Sequence, residues 1–175
     1  MIERLLVAVL LTFACFGPAD AHGPTPQKVE ESIVIPATPE AVWKVLGAFG
    51  GIAGWHPMVK RASATGGDAP GAERVLTLET GEITDGLDDY SAAERRYAYR
   101  LSRENVEALP VSFYSADIQV KEAPGGSEVV WIARLYRADT TNEPPENRND
   151  EAAIAAMSAF FRAGLEGLKA KVTAP

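Results

Sequence analysis

Residues 38–57, TPEAVWKVLGAFGGIAGWHP, decide how the rest of the chain is read. Thr38-Pro39-Glu40 opens a helix with a hydroxyl at the N-cap and a proline at the first helical position, where no N–H is needed. Glu40 then faces the positive end of the helix dipole. Val42, Val45, Leu46 and Phe49 recur at helical spacing and give this helix one apolar face. Gly50-Gly51 breaks it, and Ile52 to Trp55 allows at most one further turn before Pro57 closes the Trp55-His56-Pro57 corner. Two short helices ending in a corner need a sheet to lean on.

That sheet is legible on both sides. Upstream, Val29 to Ile35 reads as a strand with Val29, Ile33 and Ile35 on one face, ended by Pro36. Downstream, strand signals follow at 59–64, 74–80, 82–90, 95–103, 111–121 and 128–137, most of them separated by turn residues such as Gly66-Gly67-Asp68, Gly81 and Pro124-Gly125-Gly126. Connections this short join antiparallel neighbours, because parallel pairing needs a long crossover. Tyr97, Tyr99 and Leu101 share a face, as do Tyr114, Ala116, Ile118 and Val120, and Val129, Trp131, Ala133 and Leu135. These faces look inward, and Arg96, Arg100, Asp117, Gln119 and Arg134 look to water. After a polar, proline-bearing loop at 138–148, the chain turns helical from Asn149, with Ile154, Met157, Phe161, Leu165 and Leu168 as its stripe. The expected fold class is α+β: a curved antiparallel sheet wrapped around one long C-terminal helix, with two short helices after the first strand. Such a grip should leave a hollow. Removing the chain from Asn149 onward should uncover the whole concave face at once.

The first residues read as a processing signal. Arg4 precedes an apolar run from Leu5 to Phe16, and Ala19-Asp20-Ala21 has the small-x-small pattern of a cleavage site. The run is short of the roughly 20 residues that span a bilayer. The expected organisation is therefore a removed signal peptide at 1–21, a flexible leader at 22–28 and a single domain at 29–173, located in the periplasm with no membrane attachment after processing. Cys15, the one cysteine, lies in the removed segment, so the mature chain has neither disulfide nor thiolate chemistry. The removed segment also carries Glu3, Arg4 and Asp20, so the formal charge moves from −7 to −6. That balance argues against nucleic acid and anionic lipid surfaces, which call for basic stripes.

The order strand, helix, short helix, hairpin sheet, long helix, with Pro39-Glu40-Ala41-Val42-Trp43 and the Trp55-His56-Pro57 corner, resembles the helix-grip superfamily of START-domain, SRPBCC and polyketide cyclase-like proteins. A narrower likeness rests on four segments. They are Ala21-His22-Gly23-Pro24-Thr25-Pro26-Gln27-Lys28, Ala108-Leu109-Pro110-Val111-Ser112, Leu135-Tyr136-Arg137 and residues 142–153. Together these resemble the MxaD-type periplasmic accessory proteins of bacterial methanol oxidation. The resemblance implies an exported helix-grip domain that assists a periplasmic dehydrogenase and its cytochrome c partner, with no established chemistry of its own.

Each constellation has a plain reading beside the functional one. His56 could hydrogen-bond a carbonyl or move a proton at the cavity mouth, as a polyketide cyclase-like enzyme would require. No orienting carboxylate is identifiable, so a structural corner is favoured and no catalytic residue is assigned. His22 and His56 are too few for a metal site, and no cofactor is expected. Glu79, Glu82, Asp85, Asp88 and Asp89 lack the spacing of a calcium loop and read as a solvated hairpin that could join an acidic docking face. Trp55, His56, Tyr97, Tyr99, Tyr114, Trp131, Met157 and Phe161 form the candidate ligand-binding set. In a closed fold they are core; in a hollow one they line a pocket for a small hydrophobic ligand.

Overall fold

The computed structural model describes residues 23–174. The expected signal peptide at 1–21, Cys15 and His22 lie outside the described residues. Seven strands form one antiparallel sheet in the order β1-β7-β6-β5-β4-β3-β2. They are β1 Gln27–Ile35, β2 Arg61–Thr65, β3 Glu73–Thr77, β4 Glu82–Ser91, β5 Arg96–Arg103, β6 Val111–Ala123 and β7 Gly126–Arg137. Between β1 and β2 lie helix α1, Pro39–Leu46, and a 3₁₀ turn, Phe49–Gly54; helix α2, Asp150–Thr173, ends the fold. No helix among the described residues is long and apolar enough to cross a membrane.

Local chemistry explains most boundaries. Thr38 caps α1, its hydroxyl accepting from the Ala41 N–H at 3.3 Å, and the Asn149 side chain caps α2 by accepting from Ala152 at 2.9 Å. Helix α1 ends at Leu46 rather than at the Gly50-Gly51 pair, because its C-cap is Gly47, where a Cβ would meet the Trp43 side chain at 2.7 Å. Phe49 accordingly leaves the α1 face and begins the 3₁₀ turn. β1 begins at Gln27, pairing with Leu135, so the last two residues of the expected leader belong to the sheet.

The concave face is closed by three elements instead of one. Helix α2 lies along β1 and β7 and against α1, while α1 touches β6 and the 3₁₀ turn covers β2 and β3. Val42 and Leu46 from α1, Phe49 and Ile52 from the turn, and Met157, Phe161, Leu165 and Leu168 from α2 are all buried. Ile154 is only half-buried, and Phe160, outside the expected stripe, joins the interior. Losing α2 would therefore bare the β1–β7 side and leave the β2–β3 side under the turn, a smaller exposure than the whole face.

Two glycines set how closely α2 sits. A Cβ at Gly167 would lie 2.1 Å from the Trp55 carbonyl oxygen, and one at Gly164 would meet the His56 ring at 2.6 Å and Trp131 at 2.8 Å. Their missing side chains let the Trp55-His56 corner press directly onto the helix backbone.

Candidate functional site

The corner is held by its own backbone: the N–H groups of Trp55 and His56 donate to the Ile52 carbonyl at 3.1 and 2.9 Å, and Val59 N–H donates to the His56 carbonyl at 3.1 Å. The His56 ring lies 4.0 Å from the Phe160 ring centroid and edge-on to Trp131. Its Nδ1 accepts from Met58 N–H at 3.2 Å, which places the proton of the neutral ring on Nε2. Among the described residues Nε2 has no well-aligned hydrogen-bond partner. Burial lowers the His56 pKa from 6.5 to about 4, opposed in part by the Phe160 carbonyl and reinforced by the Arg74 charge. Protonation would need a second proton on Nδ1, where the Met58 N–H already sits.

A stability profile follows. The unfolded chain takes up the proton near pH 6.5 and the folded chain only near 4, so the contribution is complete above 6.5 and is lost as pH falls between these values. Urea denaturation should show a decline of about 3 kcal/mol over that window, because a tenfold difference in proton affinity between the two states corresponds to about 1.36 kcal/mol. The His56→Gln variant should lack this part of the decline. An equal decline in both proteins would place the titrating group elsewhere.

The other candidates assemble into one interior. Tyr97 and Trp131 have no accessible surface, and Tyr99, Tyr114, Met157 and Phe161 have at most 4 %. Trp131 stacks on Phe161 at 4.2 Å and 11°, and its Nε1 donates to the Tyr99 hydroxyl at 3.0 Å. Tyr97, Tyr99 and Phe49 form a run of tilted and edge contacts centred near 6 Å. Trp55 completes the group against Trp131, its own Nε1 unpartnered.

At the centre is a charged pair that the sequence reading missed. Arg74 and Asp85, 1 % and 0 % exposed, are direct cross-strand partners on β3 and β4. Arg74 Nε donates to Asp85 Oδ2 at 2.9 Å and Nη1 to the Phe49 carbonyl at 3.0 Å, while the Tyr114 hydroxyl donates to Asp85 Oδ1. The guanidinium lies 4.2 Å from the Phe49 ring centroid and 4.6 Å from that of Tyr99. Among the described residues Arg74 Nη2 and the adjacent Tyr97 hydroxyl have no well-aligned hydrogen-bond partner. Burial, the largest single influence, pulls the Arg74 pKa down, but the Asp85 charge and hydrogen bond together with Tyr97 and Tyr99 outweigh it and keep the guanidinium protonated. Burial pushes the Asp85 pKa up, opposed by the Arg74 charge and by the hydrogen bonds from Tyr114 and Arg74. Burial likewise raises Tyr97, Tyr99 and Tyr114, which remain phenols.

The signal was present in the alternation. Ala72, Arg74, Leu76 and Leu78 face inward at period two, as do Ile83, Asp85 and Leu87 on the next strand, so opposite charges occupy inward positions on both arms of one hairpin. This corrects the reading of the acidic hairpin as wholly solvated. Asp85 is inside. The others are laterally neutralised: Glu79 by Lys60, Glu82 by Arg61, Asp88 by Arg100 and Asp89 by Arg96.

Two surface grooves flank the interior. One, of about 280 Å³, is lined by Pro57, Met58, Leu78, Leu109 and Phe160, with the Lys60–Glu79 pair at its rim. The other, of about 320 Å³, runs between the Trp55-His56-Pro57 corner and Gly167 and Lys171 of α2.

A curved antiparallel sheet closed by a long C-terminal helix over an aromatic interior with a charged centre defines a helix-grip protein. The chain belongs to the polyketide cyclase / dehydrase and lipid transport family, whose sequence profile matches residues 26–173. It is similar to the protein XoxI from Bacillus cereus, with 27% identity and a TM-score of 0.67 over 81% of this chain and 92% of that one. An uncharacterised Bacillus thuringiensis protein shares 25% identity at a TM-score of 0.70, covering 85% and 100% of the two chains. Ara h 8.0201, at 15% identity and a TM-score of 0.67 over 85% of this chain and 98% of that one, shares the fold. No curated protein matches the sequence.

Proposed function

We propose that the chain is an exported, non-catalytic accessory domain that docks on a periplasmic dehydrogenase or its cytochrome c partner, as in bacterial methanol oxidation. What supports this reading is the meeting, on one face, of three segments that carry the accessory-protein likeness. Arg137, at the end of β7, donates to the carbonyls of Asp139 and Thr141 at 2.7 Å each and to Asp150 Oδ2 at 3.0 Å. It pins both ends of the 138–149 loop. Ser112 donates to the Arg137 carbonyl at 2.9 Å, and Arg148 pairs with Glu107, which joins the 108–112 segment to the same face. Exposed Glu143 and Glu146 lie on this clamped loop, and Phe113 on the adjoining strand is 41 % exposed. A pre-ordered loop loses little entropy on docking, and its charge raises the association rate in a salt-dependent way.

Affinity capture from periplasmic extract should recover a dehydrogenase or cytochrome at low salt and less of it at high salt. The Arg137→Gln variant should recover about tenfold less through the loosened loop, an expected loss of order 1.4 kcal/mol. Capture of no redox protein at either salt concentration would count heavily against this reading.

A second reading is a carrier or sensor of a small hydrophobic ligand held between sheet and helix. The observation favouring it is the pair of unpartnered donors, Arg74 Nη2 and the Tyr97 hydroxyl, inside an otherwise aromatic interior. A buried donor left unmade costs about 1–3 kcal/mol, which a bound acceptor would return. Native mass spectrometry of protein purified from its own host should reveal a retained small molecule. A uniformly empty species with no thermal shift across a lipid and aromatic panel would oppose it.

A further inference from the structure

We propose that the groove bounded by Met58, Leu78, Leu109 and Phe160 receives one apolar side chain of the docking partner, and that a lysine or arginine beside that side chain takes Glu79 from Lys60. The inference rests on the accessory-domain reading and specifies what the partner presents and where it seats. Four walls converge there. The corner supplies Pro57 and Met58, the end of β3 Leu78 and Glu79, the β5–β6 loop Ala108 and Leu109, and α2 the ring of Phe160. Leu78, Leu109 and Phe160 are at most 6 % exposed, whereas Met58 is 43 % exposed, so a buried apolar floor has one adaptable thioether left open beside it. The walls are set in advance. The Thr80 hydroxyl donates to the Glu107 carbonyl at 2.6 Å, which ties the β3–β4 turn to the β5–β6 loop, and a Cβ at Gly81 would lie 2.3 Å from Asn105 Nδ2. Asn105 folds its own loop, its carbonyl accepting from the Ala108 and Leu109 N–H groups at 2.9 and 3.0 Å. On the opposite wall Lys60 N–H donates to the Thr77 carbonyl at 2.9 Å and Met58 N–H to His56 Nδ1. A groove already formed before binding costs little ordering entropy.

Size and charge identify the occupant. At about 280 Å³ the groove falls below the ~300–1,000 Å³ of pockets that enclose a whole small molecule, and it suits a single side chain. The three loops at this end, 78–81, 104–110 and 138–149, carry six acidic residues and one cation, Arg148, so the surface that complements them is basic. Arg148 is itself paired with Glu107, and through that pair the groove wall is continuous with the clamped 138–149 loop. At the groove the charges are Glu79 and Lys60, paired at 2.5 Å with 81 % and 53 % of their side chains exposed. An ion pair this exposed is worth little and exchanges readily. An incoming cation can replace Lys60 at Glu79, whereas an incoming anion meets the acids of all three loops. The apolar side chain then supplies the affinity and the charges around it supply the choice of partner.

The test uses the mature protein labelled at its methionine methyl groups, Met58 marking the groove and Met157, 1 % exposed, marking the interior. Three end-blocked tetrapeptides serve as probes: Gly-Leu-Lys-Gly, Gly-Ser-Lys-Gly and Gly-Leu-Gln-Gly. The first should shift the Met58 methyl resonance and leave Met157 in place, binding about tenfold tighter than the serine peptide and about threefold tighter than the glutamine peptide. Lys60→Gln, which frees Glu79, should tighten that binding about threefold, and Glu79→Gln should weaken it about threefold, both with unchanged urea midpoints. Equal binding of the leucine and serine peptides, a shift at Met157 in place of Met58, or no shift at either methyl would overturn the proposal, as would weaker binding in Lys60→Gln. In each of these cases salt-sensitive capture of a redox protein by the wild type would leave the accessory reading standing. Selective binding at Met58 without capture of any redox protein would keep the groove as a docking site and remove the redox partner.

Discussion

Arg74→Met should lower the unfolding free energy at pH 7 by about 3–5 kcal/mol, the cost of stranding one member of a buried ion pair. The substitution preserves much of the volume between Phe49 and Tyr99 but leaves the Asp85 carboxylate with the Tyr114 hydroxyl as its one remaining partner. The sign of the pH effect can be worked out. Without its cation, Asp85 is governed by burial, which raises its pKa above the unfolded value, so stability is retained at acid pH and lost as pH rises through the folded pKa. The deficit against wild type should shrink as the pH is lowered from 7. Replacing the whole group, with Arg74→Met, Asp85→Leu and Tyr114→Phe together, should recover most of the loss, because no buried charge remains and only the Phe49 carbonyl lacks its donor. Equilibrium urea curves for the single and triple variants settle the matter. A single-variant loss below about 1 kcal/mol would mean that water reaches the pair in solution.

Phe161→Ala should cost about 3–5 kcal/mol, the range for deleting a close-packed aromatic side chain. The ring is 1 % exposed and lies flat on Trp131 at 4.2 Å, so truncation removes transfer energy and the stacking partner of a residue that itself has no accessible surface. A pocket wall would behave otherwise. If that interior were already hydrated or ligand-filled, the loss would fall well below this range, since no new cavity would be created. Urea denaturation with tryptophan fluorescence reports both the midpoint and the altered environment of Trp131. A large loss with an unchanged thermal response to the lipid and aromatic panel would remove Phe161 from the ligand-contacting set.

The fold was readable because its signals are local and redundant. The Thr38-Pro39 cap and the period-two faces of β5, β6 and β7 are found where expected, as is the α2 stripe from Met157 to Leu168. What escaped was the consequence of putting those elements together. The Met157–Phe161 stripe reads as a lid for the whole sheet, yet the β2–β3 side of the concave face is closed by Phe49 and Ile52 on a turn too short to announce an apolar face. Arg74 and Asp85 were hidden by category. A charged residue in a strand is ordinarily assigned to water, and Asp85 stood among four other acids, so the inward phase of each strand was the only clue. The Tyr97, Tyr99, Tyr114, Trp131, Met157 and Phe161 set was legible as a group. Its polar centre was not, because a cross-strand pair is a property of register, which sequence specifies only after the hairpin is aligned.

The two glycines of α2 act as a pivot. At Gly164 and Gly167 the helix is keyed to the Trp55-His56 corner by the absence of side chains, and a one-turn slide would bring Phe160 or Leu168, Ala163 or Lys171 into those notches. Axial travel is blocked in both directions. Any widening of the grip would therefore be angular, least beside His56 and greatest at the far end of the helix, where Asp150 meets Arg137. The Arg137 clamp would then be a latch as well as a loop anchor. A partner that seats on the 138–149 loop would change how readily the interior is reached, so that docking outside and occupancy inside would be coupled through one rigid rod.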